Sequence, residues 1–176
     1  MDDLTKELDL AVAEAVNANS NLTIVLGADH AGFDLKQLIK TWLLELKYTV
    51  EDEGAYSLEP EDDYPFISKM VAKRVVGGGE NFRGLIFGGS GQGEAMASNR
   101  IMGARAVVFY GGQEEIVRLT RDHNNANILA LGARFVSLEQ AKEMIKLWLK
   151  TLFSEASRHQ RRIEELDDKI VSDNNF

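Results

Sequence analysis

The apolar positions between residues 22 and 152 change period repeatedly. Residues 22–27 form a compact apolar run, the pattern of a buried strand. Leu35, Leu38, Ile39, Trp42 and Leu43 then recur at helical spacing and predict a helix over 33–46. A weaker strand follows at 48–52, then an acidic loop at 53–63 closed by Tyr64-Pro65. A helix is predicted over 66–76, stopped by Gly77-Gly78-Gly79. A strand at 85–87 runs straight into a glycine-rich loop, and a helix opens at 94–100. A strand at 104–110, a helix at 114–121 and a strand at 127–131 come next, and helices at 138–152 and 155–170 close the pattern. Trp42 and Trp148 fall at core spacing and read as packing residues.

Ahead of this alternation, Leu4, Leu8, Val12 and Val16 repeat every four residues, with Ala11 and Ala15 beside them. They predict a short amphipathic helix, set off by a polar break at 17–21. The expected organisation is an N-terminal helical extension (1–21), an α/β core (22–153) and a C-terminal helix and tail (154–176). Alternating strands and helices with short connections argue for a three-layer α/β/α fold around a five-stranded parallel, Rossmann-like sheet. Such sheets bind ligands at the carboxyl ends of their strands. The loops at 27–32, 88–94, 110–113 and 131–135 are therefore where chemistry is sought.

Charge and composition narrow the classes. The 176 residues carry a net charge of −8, which disfavours a general nucleic-acid binder. Without cysteine there is no disulfide, no thiolate metal site and no thiol nucleophile. No run has the length of a membrane span, and Met1-Asp2-Asp3 lacks the apolar region of a signal peptide, so the expected compartment is the cytoplasm.

The loop Gly88-Gly89-Ser90-Gly91-Gln92-Gly93-Glu94 is the strongest chemical signal. Its glycines let the backbone approach a ligand, and the first amides of the following helix point outward unpaired. It is not a P-loop, because Glu94 and Ala95 stand where a lysine and a hydroxyl residue belong. A carboxylate at the mouth of an amide cradle repels phosphate but suits a general base beside an oxyanion hole. Equally, Glu94 suits a helix N-terminus simply as an acid facing the dipole. From the loop alone both readings stand, and helix terminus and burial pull the Glu94 pKa in opposite directions.

Other candidates surround it. Asp29 ends the first strand, where an N-cap is the common use of such a residue, with His30 beside it. His123-Asn124-Asn125 precedes the last strand, where asparagines also serve simply as turn formers. Asp29, His30, Glu94 and His123 offer no i, i+4 pair of metal ligands, and no metal is expected. Arg158-His159-Gln160-Arg161-Arg162 is the one dense basic cluster; Arg158 and Arg162 lie a turn apart and suit a phosphate, unless Glu164 and Glu165 simply neutralise a solvated face.

Taken together, Gly27-Ala28-Asp29-His30-Ala31-Gly32, the glycine loop, Gly103-Ala104-Arg105-Ala106, His123-Asn124-Asn125-Ala126-Asn127, Leu131-Gly132-Ala133-Arg134 and the basic cluster resemble the type B ribose-5-phosphate isomerases, the family that includes galactose-6-phosphate isomerase. The resemblance spans about 22–166. One variant of that family uses a cysteine just before the glycine loop, where Gly88 stands; the other uses a glutamate directly after it, where Glu94 stands.

The resemblance implies metal-free, cofactor-free interconversion of ribose 5-phosphate and ribulose 5-phosphate through an enediolate. Glu94 would be the base and His123 the ring-opening acid–base. The amides of Gly89, Ser90, Gly91, Gln92 and Gly93 would stabilise the oxyanion. Asp29 and Asn124 would hold hydroxyls, and His30, Arg134, Arg158 and Arg162 the phosphate. It further implies a homodimer in which Arg158 and Arg162 serve the partner's site, with no nucleic-acid or membrane partner.

The same chemistry on galactose 6-phosphate, allose 6-phosphate or a tetrose phosphate is the nearest alternative, with specificity expected near Tyr64 and Tyr110. A non-catalytic sugar-phosphate sensor and a metal-dependent isomerase are the others. The 1–21 extension, Gln92 and the Gly111-Gly112 loop depart from the family pattern.

Overall fold

Alternation along the strands sorts the core into two faces. The computed structural model describes residues 22–166, so the predicted 1–21 helix and the chain beyond Leu166 lie outside the described residues. In order come β1 (Thr23–Ala28), α1 (Phe33–Glu45), β2 (Thr49–Asp52), α2 (Tyr64–Gly78), β3 (Phe82–Gly88), α3 (Gln92–Ser98), β4 (Ala106–Phe109), α4 (Glu114–Asp122), β5 (Ile128–Gly132), α5 (Leu138–Lys150) and α6 (Ser157–Glu164). The five strands are all parallel, in the order β2-β1-β3-β5-β4.

Ile24, Leu26, Leu85, Phe87, Leu129 and Leu131 point to one face, where they meet Leu43, Trp42 and Trp148 from α1 and α5. Val25, Ile86, Ile128 and Ala130 point to the other and meet Val71, Val75 and Ala95 from α2 and α3. A period of two is what places successive side chains on opposite faces of a strand. The three-layer fold is as the sequence predicted, and both tryptophans are buried packing residues.

Boundaries shift for local reasons. α2 runs through Gly77 and Gly78 and stops only at Gly79, whose φ of 72° no helix continues. β3 starts at Phe82 because β1 pairs with it from Thr23 onward. The segment after α5 is not helical up to Ser157; Ser154 instead donates to the Asp122 carbonyl from its amide (3.1 Å) and its hydroxyl (2.9 Å).

A buried ion pair fixes the loop after β2. Lys36 on α1 is fully buried and donates to Asp52 Oδ1 (2.8 Å) and the Ala55 carbonyl (2.6 Å), while Lys40 takes Asp52 Oδ2 (2.7 Å). Burial alone would raise the Asp52 carboxyl, but the two lysines and the Gly54 amide outweigh it and hold the group below its ordinary value. Gly54 and Ala55 in turn bond the main chain of Ala28, one residue before Asp29. Removing one member of a buried pair typically costs about 3–5 kcal/mol. Lys36→Met is therefore expected to lower the melting temperature by roughly 10 °C, measured by differential scanning calorimetry. An unchanged Tm would mean that the pair adds nothing to stability.

Candidate active site

The strand order reverses between β1 and β3, and the crevice outside their carboxyl ends is where parallel sheets bind ligands. β1 delivers Asp29 there, and β3 delivers the glycine loop. Asp29 Oδ1 accepts from the Gly32 amide (3.0 Å). The helix N-cap itself is Gly32, so Asp29 closes the turn before α1 rather than capping α1. Its carboxyl lies close enough to Glu94 to help raise that group's pKa.

Gly91 adopts a φ of 78° and starts α3, which puts Glu94 in the first turn and folds its side chain back over the loop. Gly88 makes this possible: any side chain there would collide with the Glu94 carboxyl. Glu94 is 4% exposed and Asp29 7%. Burial pushes the Glu94 carboxyl above its ordinary value; a bond from its own amide opposes this, and the Asp29 carboxyl beside it adds to the rise. Burial therefore wins over the bond from the Glu94 amide in the first helical turn. A surface acid that merely complements a dipole would show the opposite shift.

The loop amides before α3 are unpaired. Among the described residues, the Gly89, Ser90 and Gly91 amides have no hydrogen-bond acceptor, while Gln92 N donates weakly to Ser90 Oγ (3.3 Å). Gly93 lies against the Tyr64 ring. Arg134 is latched to the loop by its amide, which donates to the Gly89 carbonyl (3.2 Å), and its guanidinium lies over the Gly89 α-carbon. Tyr110 packs edge-on against Phe135 at the same end of the sheet.

His30 completes this end. Asp62 Oδ1 accepts from the His30 amide (2.9 Å) and lies 2.8 Å from His30 Nδ1, leaving Nε2 as the ring's outward-facing nitrogen. Sequence reasoning missed Asp62. Its signal is only membership of the acidic loop, whose return to β1 is a tertiary fact.

The other predicted residues are elsewhere. His123 ends α4 and precedes β5, so it lies at the amino end of the sheet with Asn124. Its ring stacks on His159 (centroids 4.3 Å apart, planes at 13°), and Arg158 Nε donates to His159 Nε2 (3.1 Å). Desolvation lowers the His159 pKa, with His123, Arg158 and Arg162 adding to it. Arg161 pairs with Glu165 (3.7 Å), but Arg158 and Arg162 have no carboxylate partner among the described residues.

The predicted residues thus fall into two groups: Asp29, His30, the glycine loop, Glu94 and Arg134 at one end of the sheet, and His123, Asn124, Arg158 and Arg162 at the other. The length of β5 alone, at about 3.3 Å per residue, separates the two ends by roughly 15 Å. Among the described residues no cluster of three or more histidine, aspartate or glutamate side chains is placed to hold a metal ion.

Comparison with known proteins gives this arrangement its context. Residues 24–166 match the model of the Ribose/Galactose Isomerase family. The chain belongs to that family. It is 41% identical to ribose-5-phosphate isomerase B of Escherichia coli over 143 residues, 81% of this chain and 93% of that protein. It is 38% identical to ribose-5-phosphate isomerase B of Mycobacterium leprae over 147 residues, 84% of this chain and 89% of that protein. Among solved structures, ribose-5-phosphate isomerase B of Mycoplasma genitalium with bound ribulose-5-phosphate superposes with a TM-score of 0.78 at 33% identity, covering 82% of this chain and 93% of that one. In this chain the Glu94 carboxyl fills the space a Gly88 side chain would take.

Proposed function

We propose that this protein interconverts ribose 5-phosphate and ribulose 5-phosphate, with Glu94 as the base that moves a proton between C1 and C2. The observation that carries this is the buried Glu94 carboxyl, raised in pKa and folded over Gly88 at the start of a loop whose Gly89, Ser90 and Gly91 amides have no acceptor among the described residues. A raised carboxyl is a stronger base than an ordinary glutamate, and the amides stabilise negative charge where the enediolate oxygen forms. Asp29 and Asn124 hold hydroxyls, His123 opens the ring, and His30, Arg134, Arg158 and Arg162 bind the phosphate. Phosphate binding energy then orients the open-chain sugar over Glu94.

The working unit in this reading is a homodimer, each site taking His123, Asn124, Arg158 and Arg162 from the partner. Two features support it. The half-sites lie at opposite ends of the sheet, beyond the reach of a pentose phosphate. The α2–α3 layer and the turn after it also leave Phe66, Met70, Met96 and Met102 exposed, the kind of apolar surface that marks association.

Measuring ribose 5-phosphate to ribulose 5-phosphate conversion in the presence of EDTA tests the reading. Turnover is expected, and it is expected to exceed that on galactose 6-phosphate, allose 6-phosphate and a tetrose phosphate. Binding of all these sugars without turnover of any would establish a sensor instead, and inactivation by the chelator a metal-dependent enzyme.

A further inference from the structure

The motifs Gly103-Ala104-Arg105-Ala106 and Asn125-Ala126-Asn127 take no part in the chemistry above, yet they fold against each other at the amino end of the sheet. Asn127 Oδ1 accepts from the Arg105 amide (2.8 Å), and its Nδ2 donates to the Gly103 carbonyl (2.8 Å). Asn125 accepts from Arg121 Nη1 at its side chain (2.8 Å) and from Arg105 Nε at its carbonyl (2.9 Å). With the start of β3 they enclose a cleft of about 530 Å³, whose walls carry Arg83, Arg105 and Arg121.

Two of these arginines hold donors with no partner among the described residues. Arg121 is only 4% exposed and sits over the Trp148 ring. It donates from Nη1 to Asn125 and the Ala126 carbonyl and from Nε to the Thr151 carbonyl, which leaves Nη2 without a partner among the described residues. Arg83 donates only from Nη1, to the Glu80 and Phe82 carbonyls, so its Nε and Nη2 are unused among the described residues. Burial first, then Arg83 and Arg105, pull the Arg121 pKa down to about 9. Burial and Arg105 lower Arg83 likewise, against Glu80. Like charges held together while partly desolvated are costly, and a bound anion relieves that cost.

We infer that this cleft binds a small phosphate monoester, with the unused guanidinium edges of Arg83 and Arg121 clasping the phosphoryl oxygens. Planar guanidinium forks match oxyanions in this way. The volume is of the size that takes a small organic ligand rather than a bare ion. The rest of the lining fits an organic body: Val76 and Phe153 are apolar, while Glu80 and Glu155 accept from hydroxyl or amine donors and disfavour a second anionic group. Within one chain the cleft lies at the opposite end of the sheet from the glycine loop, and neither that loop nor Arg134 lines it.

Titration calorimetry with AMP at fixed ionic strength tests this. Wild type and Arg134→Ala are expected to bind AMP equally, since Arg134 lies over Gly89 and does not line the cleft. Arg83→Gln is expected to weaken binding at least tenfold. Arg83 bonds only two nearby carbonyls, so this variant is expected to keep the wild-type Tm; if its Tm falls, Asn81→Asp, which adds a carboxylate at the exposed rim, takes its place and is expected to weaken binding likewise. No binding by wild type, unchanged binding when the cleft is altered, or loss of binding in Arg134→Ala overturns the inference. None of these outcomes bears on Glu94, which is read from isomerisation alone.

Discussion

Glu94→Gln is expected to abolish isomerisation and, at neutral pH, to make the protein more stable than wild type. The loss of the base should lower kcat by about 10⁴-fold, the upper end of general-base effects, while KM changes little. The gain in stability follows from the same burial. Wild type holds a carboxylate away from water and against Asp29, at a cost that a neutral amide does not incur. The amide nitrogen of the introduced glutamine donates to Asp29, and its oxygen still accepts from the residue's own backbone. Stabilising replacements of this kind are worth about 0.5–2 kcal/mol, or a few degrees in Tm for a chain of this size.

The pH dependence gives this expectation its sign. The folded-state pKa of Glu94 lies above its unfolded value, so the native state holds the proton more tightly. Wild type therefore loses stability as pH rises through the interval between the two values, and the deficit stays constant above it. The Tm advantage of Glu94→Gln should shrink as pH falls from neutral and vanish below the ordinary value of 4.5. In wild type the acid limb of kcat should likewise lie above 4.5. A variant that is no more stable at pH 7 would show that burial does not strain Glu94, and one that still turns over would show that Glu94 is not the base.

The second large effect is recovery of activity on mixing two dead proteins. On the proposed mechanism, Glu94→Gln lacks the base at the carboxyl end of the sheet, and His123→Ala lacks the ring-opening group at the amino end. If each site combines one end from each chain, a mixed dimer holds one site with both residues intact. Half of the dimers in a statistical one-to-one mixture are mixed, and each has one intact site of two. Activity should therefore return to about one quarter of wild type after unfolding and refolding the two together. Two sites each built within one chain would leave the mixture as inactive as its parts. Each parent is assayed alone at the same total concentration, so that slow ring opening by water is subtracted.

How much of this is legible in the sequence differs from residue to residue. The strands and helices follow from periodicity because each strand alternates between two apolar faces, and the helices carry one. The ends are less well specified. Gly77 and Gly78 look like terminators in a sequence, but glycine tolerates helical backbone too, and only the left-handed φ of Gly79 ends α2. The C-terminal segment reads as one helix from 155, whereas Ser154 ties it to Asp122 and the helix begins at Ser157. That tie crosses between elements distant in the chain, and periodicity carries no trace of it.

The glycine loop, Glu94, Asp29 and Arg134 are identifiable because a short loop after a buried strand must lie at the carboxyl edge of a parallel sheet. The competition over Glu94 cannot be resolved at that level. Helix position is local and visible in sequence, but burial is a property of everything packed around the group. Only the fold shows that burial prevails, and that Asp29 approaches closely enough to add to it. Asp62 is invisible for a related reason: an acidic residue in an acidic loop has no distinguishing neighbour until the loop returns to His30.

The sequence by itself determined the layers, the parallel sheet and the chemical inventory, because hydrophobic period and residue type are local quantities. It also placed His123 after a helix and before a strand. What the tertiary structure decided is which of those groups share a space. A helix returning along a parallel sheet carries its end to the opposite edge from the strand-to-helix loops, so His123 joins His159 and Arg158 while Glu94 joins Asp29. Proximity between residues distant in the chain depends on how all the elements pack, and no shorter stretch of the sequence contains that information.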